Sequence, residues 1–263
     1  MAGGYFNDGA GVNVELGEYV PALPTVARRN LILTPYDLPA EILPSGGGLQ
    51  EIEALGQRLR ANLGDAERYV YGLFRQLARS GPGDLGVEDN IGRRATFADA
   101  VCVGARAEIQ AFRFVDARFT FLAPERSGQP VWGAIPLAPA VYPGGSTSQD
   151  YAAGGITIGE HPAAMRIEMV RSCELRPIPR ARGGRATVPH ARAHLRFIVE
   201  SHQVSDTDNL ADELQDLARS IGPGEVNLTG NGITYIDCVL EGIRPDFTDN
   251  RATRFEAEFV KEI

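Results

Sequence analysis

Two stretches of this 263-residue chain, 11–122 and 155–262, read as copies of one unit, and that duplication restricts the fold more than any single motif does. The first copy has Leu77-Ala78-Arg79-Ser80 followed by Gly81-Pro82-Gly83-Asp84-Leu85. The second has Leu217-Ala218-Arg219-Ser220 and, after an inserted Ile221, Gly222-Pro223-Gly224-Glu225-Val226. Downstream, TFADAVCVGARAEI at 96–109 lies over TYIDCVLEGIRPDF at 234–247, keeping Thr96/Thr234, Asp99/Asp237, Val101/Val239, Gly104/Gly242 and Arg106/Arg244. The openings also match, Gly11-Val12-Asn13-Val14 against Gly155-Ile156-Thr157-Ile158. A unit of about 110 residues is large enough to bury a core of its own.

Each copy contains one clear helix. In the first, Val70, Leu73, Phe74 and Leu77 form a stripe between about Asp65 and Ser80, closed by Gly81-Pro82. In the second, Asp206 or Asp208 can cap the start, Leu210, Leu214, Leu217 and Ile221 form the stripe, and Gly222-Pro223 closes it. The spacing predicts that each helix sits on its own sheet. The remainder reads as strands, because Leu195, Phe197 and Val199, then Phe255, Ala257 and Phe259, and in the first copy Ala117, Phe119 and Phe121, alternate with more polar neighbours. Asn231-Gly232 has the chemistry of a tight hairpin turn. Leu49, Ile52, Leu55 and Leu59 suit a helix about as well as a strand, and the clean alternation of Leu195–Val199 in the other copy decides for strand.

The expected fold is mainly β with α: two tandem antiparallel β-sandwich or half-barrel domains, each flanked by one helix. The expected division is an N-terminal arm at 1–10, a first domain at 11–122, an extended arm at 123–154 and a second domain at 155–263. The arm at 123–154 carries Trp132 and Tyr142 among other apolar residues, too many for a free linker, so it is expected to lie on a protein surface such as a neighbour's.

Composition narrows the function classes. The chain is 43% hydrophobic and 23% charged, ordinary for a globular protein, and no run approaches the roughly 18 apolar residues of a spanning helix. Met1–Asp8 lacks a basic patch followed by an apolar stretch, so a secretory signal is not expected and synthesis in the cytoplasm is. Cys102, Cys173 and Cys238 form no CxxC pair. His190 and His194 have HxxxH spacing but no intervening glutamate of the HExxH kind and no evident third ligand. Gly46-Gly47-Gly48 lacks the GxxxxGK[ST] frame. No catalytic, cofactor-binding or metal-binding residues are expected; Asp99 and Asp237 are expected to be turn or hydrogen-bonding features.

Charge is unevenly distributed. Between Arg166 and Arg196 eight arginines face only Glu168 and Glu174, a local charge of +6 in a chain whose net charge is −8. Prolines and glycines in the middle predict a projecting loop, with Arg176, Arg180, Arg182 and Arg185 as candidate inter-subunit contacts to acidic residues such as Asp212 and Asp216 of another copy. An acidic chain without aromatics among its arginines does not point to nucleic-acid binding.

The order of strands, helix, hairpin and closing strand, with a glycine-punctuated helix end and Thr234-Tyr235-Ile236-Asp237-Cys238-Val239 in the closing segment, resembles the tail-tube fold family of long-tailed bacteriophages, which includes tail tube, distal tail and baseplate ring proteins. The resemblance implies a virion tail protein that forms a ring around a DNA channel, DNA passing without specific binding, with other tail proteins as partners and no catalytic residues. A doubled unit closing a sixfold ring implies a homotrimer with pseudo-sixfold symmetry, with a homohexamer as the other closed form. The alternative is a tandem β-sandwich binding module that recognises a host surface or carbohydrate.

Overall fold

The computed structural model describes residues 4–17, 25–29, 32–33, 41–42, 49–88, 94–124, 131–132, 150–159, 164–177, 185–201, 210–249 and 252–263. It is mainly β with two helices, and all but two short strands join one antiparallel sheet. The first part contains β1 (Tyr5–Asn7), β2 (Asn13–Glu15), β3 (Thr25–Arg29), the two-residue pair β4 (Ile32–Leu33) and β5 (Glu41–Ile42), β6 (Leu49–Leu59), α1 (Leu63–Arg79), β7 (Gly83–Glu88), β8 (Arg94–Gln110), β9 (Phe114–Pro124) and β10 (Val131–Trp132). The second contains β11 (Tyr151–Ala153), β12 (Ile156–Gly159), β13 (Ala164–Pro177), β14 (Arg185–Ser201), α2 (Leu210–Ile221), β15 (Glu225–Gly230), β16 (Ile233–Asp249) and β17 (Ala252–Glu262).

Pairing repeats itself. In the first part neighbours run β2-β1-β7-β8-β9-β6-β3. In the second they run β12-β11-β15-β16-β17-β14-β13, the same order with equivalent strands. Irregularities recur too: β8 slips register between Cys102 and Gly104 against β9, and β16 slips between Leu240 and Gly242 against β17. Asp99 and Asp237 both adopt positive φ, 54° and 57°, where β8 and β16 bulge against β7 and β15. A non-glycine residue in that region is uncommon, and aspartate tolerates it better than most, so the repeated acid marks a repeated bulge.

Two tyrosines carry the same signature. Tyr5 lies over Gly86, and Tyr151 lies over Gly230; a Cβ at either glycine would run into the ring. Each pair covers a position where the sheet has no side chain of its own.

The helices end differently despite their shared Gly-Pro. Asn62 caps α1, its side chain accepting from the Asp65 amide. At the other end Ser80 stays extended rather than passing chain direction to a left-handed glycine, and its hydroxyl donates to the Leu77 carbonyl. α2 ends as expected on Gly222 at φ 81°, whose amide donates to Ala218. Its start lies outside the described residues.

Three observations bear on the expected arms and helix packing. Residues 5–7 are not a free arm, since β1 pairs with both β2 and β7, and the Asp8 carboxylate accepts from the amides of Ala10, Val12 and Gly81. Within 123–154, Val131–Trp132 adds to the edge of β8 opposite Thr96 and Ala95. And α1 does not serve one sheet alone. Phe74 meets Phe119 edge-on at 6.1 Å, whereas Tyr71 reaches Phe197 and Tyr235 at 6.1 and 4.9 Å, rings that belong to the second part. One continuous buried cluster therefore runs from Phe6 and Phe121 through α1 to Phe197 and Phe259.

Leu49–Leu59 is a strand. Ile52 is buried while Leu59 is exposed, so the apolar residues that mimicked a helical stripe fall on opposite faces.

Candidate assembly interface

The two parts meet edge to edge. β13 pairs antiparallel with β8, placing Ile167 opposite Ala107, Glu168 opposite Arg106, Met169 opposite Ala105 and Val170 opposite Gly104. Ala105 and Ala107 are buried with Ile167 and Met169 on the helix side of this seam, small residues facing large ones. On the other face Arg106 pairs with Glu168 at 3.6 Å, and Glu168 also binds Arg166 and Arg196 at 3.3 and 3.4 Å. Arg196 continues the network to Glu258, which is also reached by Arg244 at 3.4 Å. Burial alone would raise the Glu258 carboxyl, but the Arg196 hydrogen bond and the nearby guanidinium charges hold it below the ordinary range. A shallow groove follows this face, lined by Glu53, Leu55, Arg106, Arg118, Glu168 and Val170.

Beneath the seam α1 is locked to the second part by polar contacts. Arg171 of β13 is buried and donates to the Ser80 carbonyl at 2.7 Å and the Leu77 carbonyl at 3.5 Å, satisfying groups that a helix C-terminus leaves open. Arg68 donates to the Gly232 carbonyl at 3.0 Å. Glu67 is fully buried, and its Oε1 accepts from the Tyr151 hydroxyl and from Asn231 Nδ2, the latter at 3.0 Å. Asn231 also donates to the Tyr151 oxygen at 2.9 Å. Burial pushes the Glu67 carboxyl up to about 7, the two donors opposing it only in part. The Tyr151 and Tyr235 hydroxyls are also raised, first by burial and then by Glu67.

The arginine segment is not simply a projecting loop. β13 and β14 form one long hairpin, with Arg176 opposite Ala186 and Arg185 opposite Pro177. Arg166, Arg171 and Arg196 are already engaged within the chain, and Arg192 pairs with Glu262 at 3.0 Å, so much of the apparent +6 is answered locally. Arg176 and Arg185 sit in register on the hairpin; Arg180, Arg182 and Tyr142 lie outside the described residues, as do Gly46–Gly48. Trp132 is placed in β10 beside β8.

Among the described residues no group of three or more His, Cys, Asp or Glu side chains could hold a metal. His194 lies on β14, a strand rather than the helix an HxxxH pair would need. Cys102 and Cys238 are buried free thiols, both raised by burial, Cys238 to about 11, and so are poor nucleophiles. No described helix is long and apolar enough to cross a membrane. No family model matches the chain, and no curated protein matches it.

The seam was missed by sequence reasoning. Its one available signal was the run Gly104-Ala105-Arg106-Ala107, whose small residues alternate with an arginine on an edge-forming strand.

Proposed function

We propose that this chain is a structural subunit of a ring, built as two tandem copies of one antiparallel domain, and that the ring belongs to the tail of a bacteriophage. The observation that carries the reading is the shared strand order of the two parts together with the way they join. The β13–β8 contact is head to tail: it uses one edge of the second copy and a different edge of the first. Such heterologous contacts propagate, and they close into a ring when the rotation per step allows it. With two copies per chain a sixfold ring needs three chains, and this homotrimer is the favoured assembly, a homohexamer being the other.

The helix-free face suits a channel wall. Four of its arginines, Arg106, Arg166, Arg196 and Arg244, are each bound to a glutamate, with Arg118 beside them in the groove, so most of the cationic charge that passing DNA would meet is compensated. The carbohydrate-binding alternative draws less support, because the exposed large apolar side chains among the described residues include one aromatic, Phe112.

Light scattering of the purified protein across a concentration series tests the reading, with electron microscopy of the same samples. Particles of about three times the 28.4 kDa chain mass and annular images are expected. A strictly monomeric species at the highest concentration, with no annuli, refutes it. Long stacked polymers would identify a tube, single rings a tail-tip or baseplate component.

A further inference from the structure

The two parts do not cover equivalent surfaces equally. Leu77, Ala78 and Ser80 of the first Leu-Ala-Arg-Ser are buried, whereas Leu217 and Ala218 are half-buried and Ser220 is exposed. Val101 is wholly buried, while Val239 at the matching place on β16 is 38% exposed and nearby Ile236 is 52% exposed. Arg171, from β13 of the second copy, closes that end of α1. The second copy has no such contact among the described residues.

Pairing registers define what would fill the space. Gly104 to Ala107 of β8 correspond to Gly242 to Pro245 of β16, because Gly104 faces Thr120 of β9 as Gly242 faces Glu258 of β17. Likewise β3 holds the place of β13: Val26 lies across Ile52 from Phe121, and Ile167 lies across Phe197 from Phe259. Among the described residues β3 pairs only with β6, and Gly242–Pro245 pair only with β17. Both edges that make the internal seam are thus present a second time and, among the described residues, unpaired.

From these edges we propose that β3 of a second copy of this chain adds antiparallel to β16, with Arg29 opposite Gly242, Arg28 opposite Ile243, Ala27 opposite Arg244 and Val26 opposite Pro245. This contact would cover the exposed end of α2 as Arg171 and the internal seam cover the end of α1. An open strand edge is a template for just such addition, and Pro245, which has no N–H to donate, limits the ladder at that end. The seam is not a perfect repeat: Arg28 stands in the place of Met169, the Arg106–Glu168 ion pair becomes Arg244 opposite Ala27, and Arg244 keeps its intrachain partner Glu258. The proposal rests on the ring reading and specifies its chain-to-chain joint.

Paired cysteines test it. In a Cys173→Ser background, Ala27→Cys with Arg244→Cys, and separately Arg29→Cys with Gly242→Cys, place thiols on facing residues, whose Cα atoms in an antiparallel pair lie within disulfide reach. A Cβ at Gly242 meets nothing within 4 Å, so that substitution is accommodated. Mild oxidation is expected to give covalent multimers on non-reducing gels for both pairs, and several-fold less from single variants or from Ala27→Cys with Gly242→Cys, which is out of register. Rings by light scattering without in-register crosslinking overturn this joint and leave the ring standing. Monomers throughout, with no crosslinking, overturn both.

Discussion

Glu67 joins the two parts through a carboxyl that titrates in the neutral range, which gives a sharp test of how they hold together. Its ordinary value is 4.5 and burial raises it to about 7. The folded chain therefore binds the proton more tightly than the unfolded chain does, and the resulting stabilisation is complete below pH 4.5, declines as pH rises, and is gone above about pH 7. A displacement of this size corresponds to about 3 kcal/mol, at roughly 1.4 kcal/mol per pH unit. Glu67→Gln keeps a carbonyl that accepts from Tyr151 and Asn231 and removes the titration. Urea denaturation of both proteins at a series of pH values isolates the effect, because other titrating groups cancel in the difference. The variant should gain about 3 kcal/mol relative to the wild type between the acid and alkaline ends of that window. A difference that stays flat, or that moves toward the wild type as pH rises, would show that Glu67 is not a buried, neutral acid and would refute the reasoning.

Arg171→Met should lower stability by about 3 kcal/mol in urea titration, because the Leu77 and Ser80 carbonyls lose a charged donor while remaining buried; a loss below 1 kcal/mol, on the order of an exposed contact, would contradict the capping role. Gly230→Ala should destabilise by about 2 kcal/mol through its clash with the Tyr151 ring, and Gly230→Ala combined with Tyr151→Ala should cost less than the sum of the two single changes in a double-mutant cycle. Asp237→Gly should raise the thermal midpoint slightly by relieving a positive φ, with a gain of about 1 kcal/mol at most, while Asp237→Val should lower it.

Much of this architecture was legible because alternation survives where one face of a sheet is buried. Leu195, Phe197 and Val199, and Phe119 and Phe121, point inward as their spacing required. The repeated Asp99 and Asp237 were readable as turn-forming residues, although only coordinates reveal the bulge each of them makes. Sequence could not anticipate that α1 would serve both parts, since Tyr71 sits beside the apolar stripe and gives no sign of meeting Phe197 and Tyr235. Nor could composition disclose that the arginine-rich segment answers its own charge, because Glu258 and Glu262 are far away in sequence and adjacent only across β14 and β17. Tyr5 over Gly86 and Tyr151 over Gly230 were hidden for the same reason: the tyrosine and its glycine come from strands separated by the whole helix-bearing segment.

The internal joint and the proposed joint between chains should respond differently to protons. Glu67 stands ten residues before Leu77, and the residue ten before Leu217 is Thr207, which has no carboxyl. The tyrosine is not repeated either: Phe6 faces Leu85 as Ala153 faces Leu228, so Tyr151 matches Gly4 and Tyr5 matches Ala152. Raising pH through about 7 then charges a group buried inside each chain, whereas Val26–Arg29 and Gly242–Pro245 of the proposed joint carry no carboxyl to be charged with it. The size of the assembly should be unchanged across that window while the chain's own resistance to urea falls. Light scattering beside the urea series reads both quantities on one sample. Dissociation into single chains that follows the Glu67 titration, and disappears in Glu67→Gln, would mean that the latch acts between chains and that the two joints had been assigned the wrong way round.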